Sequence, residues 1–311
     1  MDIRSLLMGL SFAFIWSSAF TSARYIVLEA PPLSSLALRF TVSGLIGIAL
    51  ARMLGQSWRL SRGQWRATVV FGLCQNALYL GFYWVAMQWV EAGLASILAA
   101  TMPLIVAALG WGLYREKVPP LGLAGLVAGF AGVALIMGSR LNGGADPLGL
   151  VFCVIGVLAL AVATLSMRGA SSGGNVLMVV GLQMLIGAAA LTPFALTESW
   201  TTPPSTTFIV AFAYTVLAPG LLATWIWFRL VARIGATRAA TFHFLNPVFG
   251  VGIAAVLLGE RMSLLDLVGV VIVTLGILAV QLSARPGAAA RRAAREAGGE
   301  GASPAGLGRT P

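Results

Sequence analysis

The sequence predicts an all-α integral membrane protein of ten transmembrane helices, arranged as two inverted five-helix repeats with both termini on the cytoplasmic side. Three observations carry this expectation. The 311 residues are 59% hydrophobic and only 10% charged, with a mean hydropathy of +0.91, whereas a soluble domain is about a quarter charged and under half apolar. The apolar residues fall into ten runs of membrane-spanning length, and the second five repeat the first at a fixed displacement of 144 residues. Such a composition excludes a soluble globule, a secreted disulfide scaffold and a disordered chain.

A helix crossing about 30 Å of hydrocarbon needs about 20 apolar residues. The segments that qualify are residues 5–27, 33–51, 67–87, 93–113, 121–138, 148–167, 175–196, 207–228, 238–258 and 264–283. Breakers separate them: Pro31-Pro32, Pro119-Pro120, Asn142-Gly143-Gly144, residues 171–174 and residues 201–204. The first run has the small-residue context of a signal peptide, but it is too long for one and similar segments follow it. The expected units are residues 1–139 and 147–284, followed by a tail, 285–311, of Ala, Gly and Arg. Without an apolar face that tail is expected to be disordered, basic and cytoplasmic.

Charge sets the orientation. With the N-terminus inside, sixteen cations fall on the cytoplasmic side and three, Arg24, Arg140 and Arg261, outside, with Arg39 left within a span. The reverse arrangement contradicts the positive-inside rule. The net charge of +10 does not indicate nucleic acid, because the cations are thinly spread between apolar runs. Cys74 and Cys153 lie inside apolar runs and form neither a disulfide framework nor a metal spacing.

The repeat aligns without a gap. Arg24 falls on Arg168, Pro103 on Pro247, Glu116 on Glu260, Gly125 on Gly269 and Gly132 on Gly276. Apolar matches are cheap in such a chain, but shared Pro, Glu and Arg are not. Five spans separate the copies, so the second enters the membrane from the opposite side. Inverted repeats are a signature of secondary transporters, with the substrate site near the midplane between the halves.

The residues now carry a family resemblance. Trp16-Ser17-Ser18, Leu38-Arg39-Phe40, Pro103 with Glu116, Asn246-Pro247, Leu258-Gly259-Glu260-Arg261 and Gly269 together resemble an EamA-type member of the drug/metabolite transporter superfamily. The resemblance spans about residues 5–283. It departs at Trp-Ser-Ser, where the family often has Trp-Gly. It implies movement of small metabolites, often amino acids, outward across the bacterial inner membrane.

The candidate substrate-binding residues are Trp16, Ser17, Phe20, Arg39, Asn76, Tyr79, Trp225, His243 and Asn246. Arg39 lies about six residues into the second span, roughly 9 Å from its outer end. It either receives a substrate carboxylate, or snorkels to the outer interface, or pairs structurally with Glu29 or Glu91. Its repeat counterpart is the neutral Gln183. In the third span, Asn76, Tyr79 and Tyr83 share one face at i, i+3, i+7, with Gln75 beside them. Such a stripe avoids lipid. It lines a cavity, the expectation for Asn76 and Tyr79, or it joins helices, with Tyr83 and Trp84 in the interfacial belt. Trp16, Ser17 and Phe20 sit near mid-depth in the first span; the eighth offers Tyr214, Thr224 and Trp225, and the ninth Thr241, His243 and Asn246. His243, the sole histidine, either couples protons or is a neutral imidazole bonded to a neighbour.

Pro103 and Pro247 occupy equivalent places and are expected to kink their helices as hinges. Glu116 and Glu260 are expected to tie turns structurally through neighbouring helix N-termini. Gly122, Gly125, Gly129 and Gly132 line the fifth helix and predict close packing, within a monomer rather than a homodimer. The first, third, fourth, sixth, eighth and ninth helices are expected to line the pathway, with the fifth and tenth bracing it. The chain has no HExxH, no phosphate loop and no pair of carboxylates within the spans, so an enzyme and a nucleotide-driven pump are disfavoured. The expected partners are a small-molecule substrate and the bilayer, with no cofactor and no metal. The expected function is export of an amino acid or related zwitterion by alternating access. Broad drug efflux, metabolite uptake and a non-transporting receptor stay as alternatives.

Overall fold

The computed structural model describes residues 2–114, 118–142, 146–166, 174–201, 203–234 and 241–283. They form ten helical rods: α1 (Ile3–Glu29), α2 (Pro32–Met53), α3 (Arg62–Ala86), α4 (Ala92–Ala100 and Met102–Tyr114), α5 (Pro120–Asn142), α6 (Pro147–Ser166), α7 (Val176–Ala195), α8 (Thr206–Thr215, Val216–Leu222 and Ala223–Ile234), α9 (Thr241–Leu245 and Asn246–Leu258) and α10 (Leu264–Ser283). Among the described residues nine helices are long and apolar enough to cross a membrane, and the remaining apolar helix, Phe242–Leu258 in α9, is shorter. The expected tail and Glu116 lie outside the described residues.

The rods start where side chains satisfy their first N–H groups. Asp2 accepts from Ser5 N at 3.3 Å, and Ser205 accepts from Phe208 N at 3.0 Å. Ser61 and Gln64 form a reciprocal capping box at α3. Caps also come from the other repeat, two of them at the α2–α7 pair. Glu198, after α7, accepts from Leu33 N at 3.1 Å and Ser34 N at 2.7 Å at the start of α2. Gln56, after α2, accepts from Met178 N at 3.1 Å in the first turn of α7. Each end of the α2–α7 pair is thereby held by the opposite repeat.

Small residues let two outer pairs approach closely. A Cβ on Gly125 of α5 would lie 2.7 Å from the Gly276 carbonyl of α10, and one on Gly276 2.7 Å from the Gly125 carbonyl. In α2 and α7, a Cβ on Gly181 would lie 2.9 Å from the Gly44 carbonyl. These two pairs flank α1, α3, α4, α6, α8 and α9. The glycines of α5 thus pack within one chain.

The inner rods are irregular. α3 is π-helical over Gly72–Tyr79 and α8 over Val216–Leu222; their first residues are 144 apart. α4 breaks at Thr101 before Met102-Pro103, and α9 changes from a 3-10 turn to α-helix at Asn246-Pro247. These breaks are also 144 apart. Pro103 and Pro247 thus each sit at the start of a half-helix, where their missing N–H costs nothing, and not as kinks inside one.

Candidate functional site

A cavity of about 540 Å³ lies between the repeats. α1 contributes Phe12, Trp16 and Phe20, α3 contributes Phe71, Gln75 and Tyr79, and α4 contributes Ser96, Ala99, Ala100, Met102 and Pro103. The second repeat adds Leu160 and Thr164 of α6, Val176, Val179, Val180 and Gln183 of α7, Thr224 and Trp227 of α8, and His243 and Asn246 of α9. α7 was absent from the expected lining helices. Because the rods alternate in direction, these residues cluster toward the face that carries residue 2, here the near face.

One wall is an aromatic cage. The His243 ring stands edge-on to Phe12 at 5.3 Å, to Trp227 at 5.1 Å and to Trp16 at 6.5 Å. Phe12 and Trp227 are 4.8 Å apart. Asn246 Nδ2 donates to His243 Nδ1 at 3.0 Å. The imidazole is thus hydrogen-bonded to its neighbour on α9. Gln75, Gln183, Asn246, Ser96, Thr164 and Thr224 supply polar atoms, and among the described residues no Asp, Glu, Lys or Arg lines the cavity.

Trp16, Phe20, Tyr79, His243, Asn246 and Pro103 are thus brought together around one space. Six other residues singled out from the sequence lie elsewhere. Trp225 is 48% exposed on the outer side of α8, beneath Arg229 at 5.3 Å, and Trp227 takes the cavity position. The π turn over Val216–Leu222 inserts a residue into the helical phase, which regular α spacing does not anticipate. The same effect in α3 splits the Asn76–Tyr79–Tyr83 face. Asn76 is buried against α7 and donates to the Gln183 carbonyl at 2.9 Å, while Gln75 reaches the cavity. Tyr83 is buried at 4.6 Å from Tyr79.

Ser17 is buried and donates to the Asn246 carbonyl at 3.3 Å. Pro247 is buried next to Asn246 without reaching the space. Arg39 is only 7% exposed, with its guanidinium 5.3 Å from the Phe40 ring and 5.9 Å from that of Trp84. Neither Glu29 nor Glu91 pairs with it. Arg39 is not among the residues that line the cavity.

At the opposite, far face the two repeats are tied together. Gly259, at φ +68, ends α9 in a left-handed turn that presents Glu260 to the other repeat. Its carboxylate accepts from Ala92 N at 2.7 Å and Gly93 N at 2.8 Å, capping α4. Arg24 donates to the Met87 carbonyl and Tyr25 to the Leu257 carbonyl nearby. Burial raises the Glu260 carboxyl above its ordinary value, against the lowering pull of the two N–H groups. Of the pair assigned to turns, Glu260 therefore joins repeat to repeat.

Comparison with known proteins agrees with this architecture. A model of the EamA-like transporter family matches twice, over residues 3–138 and 147–282. The uncharacterized transporter YvbV of Bacillus subtilis (strain 168) is 25% identical, over 91% of this chain and 93% of its own. The uncharacterized inner membrane transporter YedA of Escherichia coli (strain K12) is 26% identical, over 89% and 90%. One crystal structure superposes with a TM-score of 0.65 at 21% identity, covering 94% of this chain and 99% of that one, which supports the fold. A twice-matched family model across the ten-helix bundle settles the assignment: the chain belongs to the EamA-like transporter family.

Proposed function

We propose that the cavity is the translocation site of a secondary transporter that exports a small metabolite, an amino acid or related zwitterion, across the bacterial inner membrane by alternating access. The observation that carries this reading is an aromatic and amide-lined space between inverted repeats, with no charged side chain among the described residues that line it. Rings supply area for an apolar side chain, and amides supply donors and acceptors for ionised ends without a fixed countercharge. The cation count supports a cytoplasmic near face, where an exported solute would load. Trp16, Phe20, Tyr79, His243 and Asn246 are the proposed contacts, and the helix breaks at Pro103 and Pro247 are the proposed hinges.

The test is uptake of labelled amino acids into liposomes holding the purified protein, with and without a pH gradient. Saturable flux that falls at least about tenfold in Trp227→Ala is the expected result. The reading is falsified if no amino acid or small carboxylate is carried above protein-free liposomes. Flux only under a pH gradient would identify proton coupling, with His243 and Glu260 the first residues to substitute.

A further inference from the structure

Some polar groups are buried without a hydrogen-bond partner in this conformation, among them Ser35 Oγ, Arg39 Nε and Tyr83 OH. Displaced by 144 residues, these three become Val179, Gln183 and Trp227, all of which line the cavity. Four other pairs have both members on the cavity: Trp16 with Leu160, Phe20 with Thr164, Ala99 with His243, and Met102 with Asn246. The repeat thus divides the wall into a shared waist and a part that only one copy presents at a time.

In a carrier built from inverted repeats, the opposite-facing state arises when the two copies exchange conformations around the waist. We propose that in that state Ser35, Arg39 and Tyr83 take the places held here by Val179, Gln183 and Trp227, and form a subsite for a compact anion, a carboxylate, that opens only to the far face. This deepens the transport reading above and rests on it. A lone guanidinium at membrane depth is costly. Here it has only the faces of Phe40 and Trp84 for compensation, and among the described residues no carboxylate pairs with it. Exposure to the far face supplies water and the solute's carboxylate, which a guanidinium binds in a bidentate fork. Hydroxyls of Ser35 and Tyr83 flank it as further donors. The near-face counterpart, Gln183, is neutral, so a carboxylate is held more tightly on the far face. That asymmetry favours exchange of solutes over one-way release.

The experiment uses single cysteines, Ser35→Cys and Val179→Cys, in the full chain with Cys74 and Cys153 replaced by Ala. Membrane vesicles of both orientations are treated with methanethiosulfonates carrying either a sulfonate or a trimethylammonium group. Val179→Cys should react from the near face and Ser35→Cys from the far face. At Ser35→Cys the sulfonate reagent should be favoured by about tenfold relative to Val179→Cys, as a nearby cation requires. That preference should vanish with Arg39→Gln and persist with Arg39→Lys. Sodium acetate should slow labelling at Ser35→Cys alone, a readout independent of any Arg39 variant. A Ser35→Cys thiol that is silent, or reactive only from the near face, overturns the proposal. So does a sulfonate preference that survives Arg39→Gln, or an absence of acetate protection. Silence at Val179→Cys as well would overturn the transport reading itself.

Discussion

The outer helix pairs and the inner helices answer the same problem, burying backbone and polar atoms in lipid, in opposite ways. In α5–α10 and α2–α7, glycines bring backbones so close that a single Cβ would meet a carbonyl at under 3 Å. These rods are regular along their length. α3, α4, α8 and α9 instead carry π turns, a one-residue break and a 3-10 segment, each at a place matched in the other repeat. Irregular backbone at membrane depth is tolerated only where protein or a cavity surrounds it. All four irregular rods line the cavity, and the regular pairs α5–α10 and α2–α7 frame them. The difference separates a rigid frame from elements whose hydrogen-bond register has been loosened.

The largest expected effect is on the frame. Gly276→Leu forces a side chain into the α5 backbone, where the glycine Cβ position is already 2.7 Å from a carbonyl. It should cost about 3 kcal/mol or more and abolish a monodisperse peak in detergent chromatography. A well-folded Gly276→Leu protein would show that the pair is not a brace. Next come the two bidentate caps. Glu198→Ala and Glu260→Ala each strand two N–H groups and should cost about 1–3 kcal/mol in thermal unfolding. Their consequences should differ: Glu198 caps α2 in the frame, whereas Glu260 caps α4 beside the cavity. Only Glu260→Ala should increase far-face labelling of Ser35→Cys. Equal labelling in the two variants would remove the distinction between frame and gate.

A pair of tryptophans sharpens the comparison at smaller cost to the fold. Trp227→Ala opens the cage around His243 and should reduce flux at least about tenfold, while Trp225→Ala, facing outward, should leave flux within about twofold. The reverse ranking would mean that α8 has regular α phase in the membrane.

That pair also shows what the sequence could and could not reveal. The spans were legible because lipid imposes length and hydropathy, and the repeat because Pro, Glu and Arg are scarce enough for coincidences to count. Facing within a rod was legible only where the helix stays regular. α1 does, and Trp16 and Phe20 both line the cavity. In α3 and α8 the π turns shift the phase, so Asn76 and Trp225 turn away while Gln75 and Trp227 turn in. Pro219, inside the α8 π turn, was an available signal; α3 has no such mark. Arg39 was visible as a costly charge, but its place off the cavity wall depends on how the repeats pack in this one state. The missed α7 wall has the same origin, since Val176, Val179 and Val180 read as ordinary span residues.

The smallest predicted effect is a dependence on pH at the far face. Burial raises the Glu260 carboxyl, and Glu91 adds to the rise, while the N–H groups of Ala92 and Gly93 and the Arg24 guanidinium oppose it. A carboxyl whose pKa is higher in the closed arrangement than in water binds its proton more tightly there. By linkage its contribution to the closed arrangement is fully present below the ordinary carboxylate range. It is lost as pH rises through the raised value. Thermal stability of wild type relative to Glu260→Gln should therefore decline across that window. A wild-type advantage that instead grows with pH across the same window would mean that the two N–H groups outweigh burial, and that the far face closes on an ionised Glu260.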